Sequence, residues 1–338
     1  MSAMRQIAFL VALLILSLTV TPSSIHAVAP QTLLFDGNNA MDYLVQQCSF
    51  GPRPPGSENL SQCRTYLVDI LEMHGWNVTL QSFTYKETEC VNIIANWGLD
   101  AQPTFVLGAH YDTRPAADRD PAPENRSKAI LGANDGASGV AVVLELAQVL
   151  PVSARPSIEL VLFDAEDSGN LNGWDWIVGS NYYVDQLSSE ERFRLNAMIL
   201  VDLVGDADLR LEREVTSTDS LQDAIWSIAA ELGHDDNFLN VTGSSVLDDH
   251  TPFLQAQIPA LDIIQHSPFP WYWHTLEDTP DKCSAESLEV VGQVLEQFFS
   301  NSSDETYTTD PLTLDPLLLG LVLIPILMVL GAILYRKR

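Results

Sequence analysis

Apolar and polar positions alternate between two rhythms along this chain. Segments 40–50 and 59–74 carry apolar residues at helical spacing, with the stiff turn GPRPPGS (51–57) between them. NVTLQSFTY (77–85) and ECVNIIANW (89–97) read as strands, the first by alternation. TFVLGAHYD (104–112) and SIELVLFDAED (157–167) are continuous apolar runs that end in polar residues, the pattern of strands buried on both faces. NDGASGVAVVLELAQVL (134–150) opens on small residues and continues as a helix. Further helices are expected over 178–187, 220–232 and 284–299, the last capped by Ser284, and further strands over 196–205 and 258–264. Strands that alternate with helices predict an α/β fold around a mostly parallel sheet covered on both faces, with no internal repeat.

The two ends have a different composition. Residues 1–29 hold Arg5, an apolar run from Ile7 to Val20 and small residues at Ala27 and Ala29, as in a secretory signal peptide with its cleavage site. Residues 301–316 are polar and punctuated by proline, which predicts a stalk. Leu317–Leu334 carries no charge, and Tyr335 with Arg336, Lys337 and Arg338 follows it. That order predicts a single transmembrane helix over 317–335 with a cytoplasmic tail at 336–338, and an exported domain over 30–300 anchored at the cell surface. A domain of that length can bury a substantial core.

The formal net charge is −28, with 17 Lys and Arg against 45 Asp and Glu, so a nucleic-acid partner is not expected. Cys48, Cys63, Cys90 and Cys283 would allow up to two disulfides in an exported domain, and no C-x-x-C pair suggests a thiolate zinc site. Five N-x-S/T sequons, at Asn59, Asn77, Asn125, Asn240 and Asn301, are compatible with export.

The chemistry gathers where the strands end. In parallel sheets ligands sit beyond the carboxyl ends of the strands. Those ends carry His110 and Asp112, Glu166 and Asp167, and Asp202, with Asp135 at a helix entry and His274 after the strand at 258–264. A single acid or histidine in such a place is usually a cap or a packing residue. Two histidines and several carboxylates converging on one sheet edge suit zinc, with manganese or cobalt as alternatives. The metal would also answer the crowding of Asp164, Glu166 and Asp167 at the end of one strand. In HYD, Asp112 would orient His110. Glu166 and Asp167 are neighbours that point different ways, so one can bind metal while the other works as a base. Asp164 reads as structural.

HYDT (110–113), GANDGASG (132–139), FDAED (163–167), VDLVG (201–205), DDHTPFL (248–254) and WHTLEDTPDK (273–282) stand in an order that resembles metallopeptidase family twenty-eight. That superfamily holds the co-catalytic zinc aminopeptidases and the glutaminyl-peptide cyclotransferases. The resemblance covers roughly residues 40–300, and GPRPPGS (51–57) belongs to it. It implies a zinc-exopeptidase-like three-layer sandwich with a central mixed, mostly parallel sheet, to which the sequence adds one C-terminal transmembrane helix. It implies an enzyme acting on peptide or protein N-termini.

The resemblance leaves two branches. In the aminopeptidases it implies two zincs bridged by Asp135, with His110 and Asp202 on one, Asp167 and His274 on the other, and Glu166 activating water. In the cyclotransferases it implies one zinc on Asp135, Asp167 and His274. Glu166 then moves a proton from the α-amine of an N-terminal glutamine to the departing ammonia, networked to Asp202 and Asp248. Three features favour the second branch: Asp248 and Asp249 ahead of His250, the segment SPFPWYWHT (267–275), and Asp rather than Glu at 167. Phe269 and Trp273 are then expected to wall a substrate pocket, and His250 to stand behind the ligands. Loop 168–180 would cover the site or merely pack on it. Receptor-like ectodomains share this fold, but a non-enzymatic binding module would tend to lose the base or a ligand, and this chain keeps Glu166 and every ligand candidate.

Overall fold

The computed structural model describes residues 32–301. The expected signal peptide, the stalk beyond Asn301, the transmembrane helix and the tail lie outside the described residues. Among the described residues no helix is long and apolar enough to cross a membrane.

The chain opens with α1 (Gly37–Ser49) and α2 (Glu58–Met73), followed by the hairpin β1 (Asn77–Tyr85) and β2 (Thr88–Asn96). Then come β3 (Phe105–His110), α3 (Ala137–Val149), β4 (Ile158–Phe163), α4 (Val178–Gln186), α5 (Ser189–Arg194) and β5 (Ala197–Asp202). The remainder is β6 (Leu211–Arg213), α6 (Asp219–Leu232), β7 (Phe238–Thr242), α7 (Thr251–Gln255), β8 (Ala260–Ile264) and α8 (Ala285–Asn301). Six strands form one sheet in the order β1-β2-β4-β3-β5-β8. The pairs β4–β3, β3–β5 and β5–β8 are parallel, and the β1–β2 hairpin joins β4 antiparallel, which makes the sheet mixed and mostly parallel as expected. Strands β6 and β7 pair separately.

The two-residue period of the strands divides the core. Phe105, Leu107 and Ala109 of β3 belong to a core that includes residues of α1, α2, α3, α6 and α8, while Val106 belongs to the other core with Val161, Phe163, Tyr183 and Phe253. Helices therefore cover both faces of the sheet, and each fully buried aliphatic side chain contributes about 1.5–3 kcal/mol. Two glycines set how closely α3 approaches the sheet. Gly136, at φ +99°, turns the chain into the helix, and a Cβ on Gly139 would lie 2.0 Å from the Val201 carbonyl oxygen. That close approach brings Asp135 to the end of β5.

Most expected elements are present, with ends shifted by a few residues. Ser284 caps α8 by accepting from the Ser287 amide at 3.1 Å. Strands β6 and β7 and helices α5 and α7 are too short for periodicity to find. The capping box of α5, in which Ser188 and Glu191 bond reciprocally, is legible in the sequence as S-x-x-E. One expectation is corrected: the four cysteines are free and buried rather than paired in disulfides. Burial pushes the thiols of Cys48 and Cys63 up to about 11, as in small packing residues.

Candidate active site

The three parallel pairs point the carboxyl ends of β3, β4, β5 and β8 to one edge, where the chain breaks from regular structure. Three non-glycine residues there adopt left-handed backbone: Ala165 at φ +61°, Leu203 at φ +48° and His274 at φ +58°. Such conformations cost of order 1–3 kcal/mol each and persist where the surroundings enforce them.

His110 ends β3, Asp135 precedes α3 and Asp202 ends β5, and their ligand atoms all lie within 4.8 Å of one another. Asp135, Asp167 and His274 form a second triad of the same kind. Asp135 belongs to both. Its Oδ1 lies 3.3 Å from His110 Nε2 and its Oδ2 lies 3.6 Å from His274 Nε2. Asp278, which sequence reasoning missed, holds this loop by accepting the amides of Asn134 and Asp135 at 2.8 and 3.1 Å. Oδ2 of Asp135 and Oδ2 of Asp167 are buried and accept no hydrogen bond. Buried carboxylate oxygens without donors are costly, and imidazole with carboxylate is a zinc-type donor set, so these residues fit a zinc ion.

Asp112 does more than orient His110, whose Nδ1 lies 3.5 Å from its Oδ1. Its two oxygens also accept the amides of Glu166 and Asp167, at 3.1 and 3.3 Å. One carboxylate thus sets the ligand at the end of β3 and both acids beyond β4. Asp164 is structural, accepting the Val91 amide at 2.7 Å. Two further residues were not anticipated. Arg114 donates to Oδ1 of Asp167 at 3.1 Å, and Asp118 lies 3.5 Å from His274 Nδ1.

A cavity of about 270 Å³ opens over the triads, with Glu166, Asp202 and Asp248 in its wall. Burial pushes the Glu166 carboxyl well above its ordinary range; His110 opposes this, and Asp167 and Asp248 add to it. Asp248 is pushed up to about 7 by burial and by Asp202. Burial would lower His110, but Asp202 and its other carboxylate partners hold it well above the usual histidine range. The apolar wall comprises Leu203, Val246, Leu247, Ile264, Phe269, Trp273 and Trp176. Trp273 stacks on His274 with centroids 3.7 Å apart, and Phe269 stacks on Trp273 at 3.9 Å. Trp176 brings loop 168–180 to the cavity and lies nearly parallel to His274 at 6.2 Å, while Trp174 packs away from it on Tyr85.

His250 sits deeper than its expected place behind the ligands. Its ring lies 3.5 Å from both Glu214 and Asp262 and meets Thr216 Oγ1 at 3.0 Å, contacting no member of either triad. His266 faces the backbone oxygens of Ile264 and Ser244 and supports the loop beside the cavity.

Comparison with known proteins fits this geometry. Residues 92–299, from β2 to α8, match peptidase family M28. The chain is similar to the glutaminyl-peptide cyclotransferase of Drosophila melanogaster, at 30% identity over 277 residues, covering 71% of this chain and 75% of that protein. It is similar to aminopeptidase YwaD of Bacillus subtilis at 33% identity over 228 residues, covering 64% of this chain and 45% of that one. Among solved structures, glutaminyl cyclase of Bacteroides thetaiotaomicron bound to N-acetylhistamine superposes with a TM-score of 0.74 at 31% identity, covering 81% of this chain and all of that one. The family match takes in β3, β4, β5 and β8, both triads and most of the closing helix, and the chain belongs to peptidase family M28.

Proposed function

We propose that this protein is a zinc-dependent glutaminyl-peptide cyclotransferase, converting an N-terminal glutamine to pyroglutamate with release of ammonia. The observation that carries the reading is Asp248, a third carboxylate in the cavity beside Glu166 and Asp202. Hydrolysis by a bound water needs one base. Cyclisation must take a proton from the α-amine and deliver one to the leaving amide nitrogen, which suits a carboxylate backed by others that can share the proton. The reaction forms a bond from the α-nitrogen to the side-chain amide carbon and breaks that carbon's bond to its own nitrogen. Glu166 takes the proton lost by the amine and gives it to the departing ammonia. Asp248 and Asp202 support Glu166, and burial, with neighbouring carboxylates adding to it, pushes all three carboxyls up, so a proton taken by Glu166 is held within the group. Asp135, Asp167 and His274 would hold the zinc, which when bound polarises the carbonyl of the substrate's side-chain amide. The wall of Trp273, Phe269 and Leu203 suits a small uncharged side chain.

A second reading has its own support. Asp135 turns one oxygen to each histidine, the arrangement of a bridging carboxylate, and His110 with Asp202 completes a second triad. Two zincs held this way would serve an aminopeptidase with Glu166 as the base for water. A paired assay separates the two. Gln-initiated peptides should release ammonia and lose their free amine, with close to one tightly held zinc per chain. Hydrolysis of aminoacyl anilides without cyclisation, or two tightly held zincs, would overturn the cyclotransferase reading. We further propose that the domain is exported and anchored by the apolar segment 317–335, which protease accessibility on intact cells would test.

A further inference from the structure

We infer that Arg114 and Asp118 form a positioning pair that fixes which atoms of Asp167 and His274 face the zinc. The inference rests on the zinc-site reading and assigns a role to two residues outside both triads. Arg114 is buried, at 2% exposure, and its guanidinium is engaged on every side. Nη1 donates to Oδ1 and to the backbone oxygen of Asp167, at 3.1 and 3.2 Å. Nε and Nη2 grip both oxygens of Asp118 at 2.8 Å each. The face of the guanidinium lies 4.8 Å from the ring of Trp176.

This arrangement acts on both ligands. Arg114 donates to Oδ1 of Asp167, the oxygen 3.3 Å from His274 Nε2, and leaves Oδ2 buried without a donor, which holds the carboxylate in one orientation toward the triad. Asp118, held by the fork, presents Oδ1 to Nδ1 of His274, which fixes the ring's tautomer and turns Nε2 toward Asp135 and Asp167. Backbone bonds from the same loop brace the strained segment around His274. Arg119 N donates to the His274 oxygen at 3.2 Å, and Leu276 N donates to Oδ2 of Asp120 at 3.1 Å. Asp167 is one methylene shorter than a glutamate would be, so its reach depends on such bracing. A lysine, as a single point charge, cannot grip Asp118 and Asp167 together as the planar fork does.

The test is zinc affinity by chelator competition on the full chain, which reads the site whichever reaction it supports. Arg114→Gln and Asp118→Asn should each weaken zinc binding about 10–100-fold. Arg114→Lys should fall between Arg114→Gln and wild type, and saturating zinc should restore most turnover. Arg155→Gln controls for general destabilisation, because Arg155 is a buried arginine that donates to the Leu150 and Gln148 carbonyls away from the cavity. Its zinc affinity should stay within twofold of wild type. Affinity within twofold of wild type in both Arg114→Gln and Asp118→Asn overturns the positioning role, as does an equal loss in Arg155→Gln. Should Arg114→Gln fail to fold, Asp118→Asn decides alone, since Asp118 is exposed. A wild-type chain that binds no zinc would overturn the zinc site itself, a separate result.

Discussion

Trp273 lies against the imidazole of His274, ring centroids 3.7 Å apart and planes 27° apart, so the pocket wall and a zinc-ligand candidate are consecutive residues in direct contact. Phe269 continues the stack at 3.9 Å and 7°. Aromatic pairs of this kind are worth about 0.5–1.5 kcal/mol beyond their burial. Trp273 also lines the cavity, so Trp273→Ala should raise KM for N-terminal substrates about 2–10-fold and lower kcat less. Steady-state kinetics checks this, and an unchanged KM would remove Trp273 from the pocket.

Glu166→Gln should lose about 10²–10⁴-fold in turnover with its zinc content unchanged, because Glu166 lines the cavity without belonging to either triad. Parallel turnover and metal analysis would show it. Turnover near wild type would mean that another group carries the proton.

Asp135→Ala should abolish tight zinc binding altogether, since Asp135 is the only residue shared by the two triads found among the described residues. Metal analysis after dialysis is the measurement. Retention of one zinc per chain would show that a set without Asp135 suffices.

Asp112→Asn should lower stability by about 1–3 kcal/mol, because an amide can accept from only one of the two backbone N–H groups and sets an NH₂ against the other. Chemical denaturation gives the number. The same change should reduce turnover, because the amides concerned are those of Glu166 and Asp167.

The pH dependence of stability should show Asp164. Burial, reinforced by Asp112, pushes its carboxyl up to about 8. The folded state then holds the proton more tightly than the unfolded chain, whose aspartates titrate near 4. This group's contribution is present at low pH and is lost as pH rises from about 4 through 8. Asp164→Asn, which cannot ionise, should gain on wild type over that range and be the more stable of the two at pH 9. Denaturation midpoints of both proteins from pH 5 to 9 would show it, and a constant difference would exclude an ionising Asp164.

The core and the ligand candidates were legible in the sequence because both follow from local pattern. The apolar run 104–109 leading to His110 marks a buried strand with a functional end, and the small residues around Asp135 mark a close approach. The positions of Arg114, Asp118 and Asp278 were not legible. Each is a charged residue in a loop, where the sequence gives no sign of its contacts, and each contacts ligands or backbone far away in the chain. Asp278 reaches the amide of Asp135 across 143 residues. His250 shows the converse: standing two residues from Asp248 placed it near the site in sequence, but at the N-cap of α7 its ring lies against Glu214 and Asp262.

The sequence by itself determined the longer strands and helices and the candidate metal ligands, because hydrophobic period and side-chain chemistry are properties of short segments, and its motifs pointed to the family by resemblance. Tertiary structure decided how those residues are shared. It turned Asp135 toward both histidines, made Asp112 the acceptor for two neighbouring amides, and left one oxygen of Asp167 to Arg114 and the other without a donor. These are choices between oxygens of single carboxylates, and they depend on the distances at which β3, β4, β5 and the loops beyond them meet at one sheet edge.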